Sequence, residues 1–159
     1  MGLLHPLLYA GLSRRFRCDP GWLIREKRPA VIVRGALHAG LLTGKYGRDH
    51  RFSNPGDERH SLTAEEIAAV IDALEDFRFL EEAAGSIILG ALRYPLAWSE
   101  VSRVVIGTRT LEHVEVNFGQ VSGRPLSAET LHRIEAVQKS LGVFDRSGRL
   151  KDTLRRLLG

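Results

Sequence analysis

The sequence predicts an α/β fold with parallel strands and a larger helical part. Two short β-branched runs, Ala30–Val33 and Val104–Ile106, are each followed within two residues by a glycine, which indicates strands buried on both faces. Amphipathic segments with helix-start signals lie between them, and strands that alternate with helices are typical of parallel α/β units. A complete eight-fold α/β barrel takes about 250 residues. The 159 residues therefore supply at most part of one.

The region before the first strand is predicted to be helical and basic. Leu3–Phe16 has a leucine spacing that suits a short helix. Residues 1–60 carry 11 Lys/Arg and 5 Asp/Glu, a net charge of +6, whereas residues 61–159 carry 12 and 14, a net charge of −2. This asymmetry favours a phosphate-bearing ligand or an acidic partner. Arg14, Arg15 and Arg17 are expected to form a solvated helix face, so nucleic acid is not an expected partner.

The remaining elements are predicted from loop composition and helix caps. Residues 47–60 are polar and rich in Gly, Pro, Asp and Asn, which is typical of a long loop. Four helices should follow: one opened by a Thr63/Glu66 capping box and ended by Gly85, one capped by Ser86 and ended by Pro95, one over Leu111–Phe118, and one from Ser127 to Leu141. Residues 149–158 are predicted to form a final amphipathic helix.

Composition excludes several classes of protein. The single cysteine, Cys18, and the absence of repeated Cys/His spacing argue against a disulfide framework and a metal site. No apolar run approaches the roughly 18–20 residues that span a bilayer, and no charged region precedes the apolar N-terminus as in a secretory signal. We expect a cytoplasmic protein that does not associate with membranes.

The turn after the second strand has the chemistry of an anion site. Gly107 lets the backbone approach a ligand closely, and Thr108, Arg109 and Thr110 present hydroxyls, a guanidinium and N–H groups at a helix N-terminus. A structural alternative is that Arg109 pairs with Glu112 on the first helical turn. The turn would then be scaffold rather than a binding site.

Three segments resemble the C-terminal part of aldo-keto reductases. Val31–Tyr46, VIVRGALHAGLLTGKY, resembles the seventh barrel strand and its loop, and Val104–Asn117, VVIGTRTLEHVEVN, resembles the eighth strand and the following helix. Pro125–Glu129 resembles the opening of the family's next helix. The resemblance implies a partial (β/α)8 (TIM) barrel. We expect a single domain over residues 1–159, with a helical segment at 1–29, the family-like region at 30–143 and a terminal helix at 144–159.

The same resemblance implies an NADP(H) site. Gly107, Thr108 and Arg109 would bind the 2′-phosphate, and His113 and Asn117 would face the adenosine. Glutamine or arginine is more usual in the family at His113, and glutamate at Val116, so we expect weakened cofactor affinity. The residues expected along the pyrophosphate are Gly35, Leu37 and Gly40.

The substrate side is implied less directly. Arg34 replaces an aromatic residue that stacks on the nicotinamide in the family, and its guanidinium is expected to pair with a phosphate or a substrate carboxylate. Tyr46 and His50 are further substrate-side candidates. Together with Lys45 and Asp49 they provide side chains of the types that transfer protons. Adjacency in sequence does not create a buried, pre-oriented relay, so a solvated loop is favoured over a catalytic cluster.

The catalytic residues of the family are not among these segments. Its tyrosine, lysine, aspartate and histidine lie at the ends of the first four strands, which would precede residue 1, so none carries over. We therefore expect a truncated or split reductase that binds NADP(H) and acts on a small carbonyl metabolite only with a complementary barrel half or as a homo-oligomer. The alternatives are a cofactor-independent cyclase or isomerase and a non-redox interaction module.

Overall fold

The computed structural model describes residues 30–99, 101–119, 121 and 125–141. The helices predicted at residues 3–16 and 149–158 lie outside these ranges. In chain order the described elements are strand β1 (Val31–Arg34), two 3₁₀ helices (His38–Thr43 and Glu58–Ser61), helices α1 (Ala64–Glu75), α2 (Phe79–Ala84) and α3 (Ile87–Leu96), strand β2 (Val101–Val105), and helices α4 (Leu111–Gly119) and α5 (Ala128–Ser140).

The two strands pair in parallel, as predicted. Val33 lies opposite Val104 and Arg34 lies opposite Val105, with an irregularity in register between Val31 and Ile32. Parallel pairing places the carboxyl ends of both strands at one edge of the sheet. The turns that follow β1 and β2 therefore begin side by side.

The prediction that both strands are buried on both faces is wrong. Ile32 is 60% exposed and Val105 is 55% exposed, whereas Val33 and Val104 are half-buried. Helix α3 packs against β2, and in the described part of the chain the opposite face of the sheet is uncovered. Parallel sheets are ordinarily covered on both faces. A β-branched run reports a residue preference for burial, not whether a second covering layer is present.

Helix α1 begins at the predicted capping box. The Thr63 hydroxyl accepts the N–H of Glu66 at 3.2 Å, and the Glu66 carboxylate accepts the N–H of Thr63 at 2.9 Å. The predicted continuation to Gly85 is wrong, because α1 ends at Glu75 and α2 is separate. In the turn between them the N–H of Phe77 donates to the carbonyl of Leu74 at 2.9 Å. This tight turn lets Phe77 enter the core that the helices share.

Helix α3 begins at Ser86, as predicted, but continues beyond the predicted stop. Ser86 accepts the N–H of Leu89 at 3.1 Å, and Pro95 lies inside the last turn of a helix that reaches Leu96. A proline near the end of a helix removes only one late backbone donor. Tyr94 and Pro95 are both buried, and the Tyr94 hydroxyl donates to Gln138 of α5 at 3.3 Å. Core packing therefore outweighs the helix-breaking tendency of Pro95.

Candidate functional site

The turn after β1 holds three of the predicted cofactor residues in an unusual backbone conformation. Gly35 and Gly40 have positive φ, and so do His38 (φ 49°) and Ala39 (φ 50°) between them. The N–H of Gly40 donates to the carbonyl of Leu37 at 2.9 Å. Left-handed backbone costs a non-glycine residue roughly 1–2 kcal/mol. The contacts around this turn must offset that cost.

The turn after β2 leads into α4 as predicted. The Thr110 hydroxyl accepts the backbone N–H of His113 at 3.2 Å, so these two groups cap the helix. Arg109 and His113 are exposed, and Asn117 is buried. Among the ion pairs formed by described residues, none joins Arg109 to Glu112. Arg109 is therefore an exposed cation of this turn that forms no ion pair to Glu112.

The two turns meet at one cleft of about 280 Å³. Ala39 comes from the turn after β1, Arg109 from the turn after β2, and the long polar loop closes the cleft with Gly56, Asp57, Glu58 and Arg59. Arg109 lies 50 residues after Arg59 and 70 residues after Ala39 along the chain, so these groups would not be expected to line one cleft without the parallel strand pair. The structure thus brings together parts of both sequence-predicted motifs.

Arg59 is the most extensively bonded side chain of the cleft, and sequence reasoning missed it. Its Nε and Nη2 donate to the Asp57 carboxylate at 2.8 and 2.6 Å, and its Nη1 donates to the Ala39 carbonyl at 2.9 Å and to the Tyr46 hydroxyl at 2.8 Å. The guanidinium also lies 4.1 Å from the Phe52 ring centroid. This pairing holds the pKa of Asp57 well below its usual range and raises that of Arg59.

The local sequence does carry one signal for part of this network. Asp57 caps the second 3₁₀ helix, and its side chain accepts the backbone N–H of Arg59 at 2.9 Å. An aspartate two residues before a turn residue is a common capping arrangement. The cap was therefore predictable, whereas the long-range contacts of Arg59 were not.

The predicted substrate-side residues divide between two places. Tyr46 and His50 pack together with ring centroids 4.5 Å apart, and Phe52 lies 5.1 Å from Tyr46 and 4.6 Å from His50. The Tyr46 hydroxyl accepts a hydrogen bond from Arg59, which gives it a structural partner. Arg34 instead lies at the exposed end of β1, opposite Val105. Tyr46 and His50 thus form an aromatic cluster with Phe52 and are not among the residues that line the cleft, and Arg34 lies at the sheet edge.

Neither a cluster of metal ligands nor a membrane-spanning helix occurs among the described residues. Within them, no group of three or more His, Cys, Asp or Glu side chains is arranged to hold a metal ion. Nor is any helix in this part of the chain both long and apolar enough to cross a membrane.

Comparison with known proteins identifies the family. Residues 23–139 match the aldo/keto reductase family. The fold is similar to a glycerol dehydrogenase from Gluconobacter oxydans, with 27% sequence identity and a TM-score of 0.60 over 74% of this chain and 36% of that chain. A search of curated proteins gave no significant match. The chain therefore belongs to the aldo/keto reductase family, and its two parallel strands and helices form a partial barrel of that fold.

Proposed function

We propose that this chain forms the part of an aldo/keto reductase that binds the adenosine phosphate of NADP(H). The observation that carries the proposal is the cleft at the carboxyl ends of β1 and β2, which Ala39 and the exposed Arg109 both line. Ligands of open α/β sheets bind outside the carboxyl ends of the strands. The similarity of this fold to that of a glycerol dehydrogenase supports the proposal of a nicotinamide cofactor.

Arg109 suits the 2′-phosphate for electrostatic reasons. The other arginine of the cleft, Arg59, is already paired with Asp57, so its charge is largely neutralised. Arg109 lies beside the same carboxylate without forming an ion pair to it among the described contacts, and it is exposed. A guanidinium binds a phosphate through two parallel hydrogen bonds. Discrimination of NADP(H) from NAD(H) is therefore assigned to Arg109.

Substitution of Arg109 by alanine should weaken NADPH binding and leave NADH binding nearly unchanged. A charge-assisted hydrogen bond contributes about 1.5–3 kcal/mol, which corresponds to a loss of roughly ten- to a hundredfold in affinity. Fluorescence titration of the purified chain with each nucleotide measures both dissociation constants.

The matched control is Arg103→Ala, because Arg103 is an exposed arginine of β2 outside the cleft lining. It should change neither dissociation constant by more than about twofold, since surface substitutions typically shift free energies by no more than about 0.5 kcal/mol. Equal losses for NADPH and NADH in Arg109→Ala, or a wild-type chain that binds neither nucleotide, would contradict the assignment.

Reduction of a small carbonyl metabolite would require further groups. The matched region spans 36% of the glycerol dehydrogenase chain. We propose that a complementary barrel half supplies the proton-donating residues, and the exposed Ile32 and Val105 on the open sheet face are suited to pack against it. Light scattering of the chain alone, and mixed with a fragment carrying the first six strands of a homologous barrel, tests this association. A chain that stays monomeric in both samples would contradict it.

A non-redox interaction module is the second candidate. The exposed apolar side chains of the sheet and of α4, among them Phe118, favour it because they offer a protein-binding surface without any nucleotide. The readout that separates the two candidates is association with the partner chain. For an interaction module, Arg109→Ala leaves association with the partner unchanged and nucleotide has no effect on it.

A further inference from the structure

We propose that Arg59 is a positioning residue for the nucleotide, which holds the turn after β1 in the shape that faces the pyrophosphate. The identity of the ligand rests on the proposed function. The role of Arg59 in holding the turn rests on the geometry of the chain itself.

The Ala39–Gly40 peptide is held at both ends. The Ala39 carbonyl accepts from Arg59 Nη1, and the Gly40 N–H donates to the Leu37 carbonyl, each at 2.9 Å. His38 and Ala39 are both in the left-handed region, where a side chain is unfavourable. Without the bond from Arg59, bonds within residues 35–43 would have to maintain this conformation, among them His38 N–H to the Gly35 carbonyl at 2.9 Å and the Thr43 hydroxyl to the Gly40 carbonyl at 2.6 Å. The bond from Arg59 therefore favours the left-handed conformation of His38 and Ala39.

Arg59 is itself fixed before any ligand arrives. Its side chain is only 12% exposed, and both oxygens of Asp57 hold the guanidinium in one plane. The Phe52 ring covers that plane at 4.1 Å. A bidentate and stacked arginine loses little further freedom when a ligand binds. The turn is accordingly preorganised rather than shaped by the nucleotide.

This arrangement separates two roles within one cleft. Arg59 is neutralised by Asp57 and bonded to backbone, so it shapes the wall beside the pyrophosphate, which NADPH and NADH share. Arg109 is exposed and acts on the 2′-phosphate, which only NADPH carries. A substitution of Arg59 should therefore lower the affinity for NADPH and NADH by the same factor, whereas a substitution of Arg109 should lower the affinity for NADPH alone.

The test uses Arg59→Gln and Arg59→Lys, each titrated with NADPH and NADH. Both variants should lose about tenfold or more in affinity for both nucleotides, because the lost bond to Ala39 lowers the fraction of chains whose turn has the binding conformation, and the apparent affinity falls by that fraction. Lysine keeps the charge but cannot form the fork to Asp57 together with the bond to Ala39. The matched control is Arg78→Gln, since Arg78 pairs with Glu75 and Glu81 on the exposed surface, and it should bind as wild type.

Hydrogen exchange supplies a readout that does not need the ligand. Amides of residues 38–42 should exchange faster in Arg59→Gln, while those of α5 keep their wild-type protection. If α5 also loses protection, Asp57→Asn replaces the variant, because it removes the charge that orients Arg59 and leaves the guanidinium in place.

The outcomes separate the two proposals. Wild-type exchange at residues 38–42 together with wild-type affinity overturns the role of Arg59, and so does a loss confined to NADPH, which would make Arg59 a phosphate ligand. If the wild-type chain binds neither nucleotide, the proposed function fails. Hydrogen exchange then still decides whether Arg59 holds the turn.

Discussion

Replacing Phe77 by alanine should lower the free energy of unfolding by about 3–5 kcal/mol, the range for removal of a buried aromatic ring. Phe77 is 0% exposed, and its ring centroid lies 6.4 Å from that of Phe79. It occupies the turn between α1 and α2, so the cavity left by the ring would lie where both helices join the core. Urea denaturation followed by circular dichroism measures the change.

The control for this prediction is Phe118→Ala, because Phe118 is the same residue type but is 57% exposed on α4. Its cost should stay below about 1 kcal/mol, as for most surface substitutions. A cost equal to that of Phe77→Ala would show that the outer face of α4 is buried against another surface in solution. A loss below about 1 kcal/mol in Phe77→Ala itself would contradict the described core.

The second large effect is a loss of stability in mild acid caused by His38. Burial lowers the pKa of His38 from 6.5 to about 4, because the charged imidazolium is poorly solvated in the interior. Between these two pH values the unfolded chain binds a proton that the folded chain does not. Stability from this group is therefore complete above pH 6.5, falls as the pH drops towards 4, and changes no further below it.

The size of this effect follows from the shift. A difference of one pKa unit is worth about 1.4 kcal/mol, so His38 should account for a fall of about 3 kcal/mol in the free energy of unfolding across this interval. Asp57 contributes little to the change of the free energy of unfolding with pH above pH 5. Arg59 holds the pKa of the folded Asp57 well below its usual range, and the carboxylate of the unfolded chain is also ionised at these pH values.

His38→Asn isolates the contribution of His38. Asparagine tolerates the left-handed backbone at this position and does not titrate. Unfolding measured at several pH values should show a flatter profile for this variant than for the wild type. His132→Asn, at an exposed position of α5, should keep the wild-type slope. Parallel profiles for wild type and His38→Asn would overturn the prediction.

Much of the fold was predictable because its signals are local. The Thr63/Glu66 capping box and the Ser86 and Ser127 caps act over three residues, and each begins a helix as predicted. The passage from β2 through Thr110 into α4 is similarly short. Family membership was also recognisable from sequence, because the order and spacing of the two strand motifs are properties of the chain itself.

Each incorrect prediction concerns a feature that depends on tertiary packing. The turn at Phe77 and the continuation of α3 through Pro95 follow from core packing that overrides local helix signals. The exposed faces of Ile32 and Val105 depend on whether another layer covers the sheet. A β-branched run or a proline has the same local preference in either setting, so sequence alone could not distinguish them.

The sequence by itself determined the parallel α/β class, the principal helix starts, the family, and the turn that carries Arg109. Only the tertiary structure decided that Ala39 and Arg109 share a cleft and that Arg59 joins Ala39, Tyr46 and Asp57. The contacts from Arg59 to Ala39 and Tyr46 span 20 and 13 residues. The physical reason is that caps and periodicities act within a turn or two, whereas a side-chain network across loops forms only after the strands have brought those loops together.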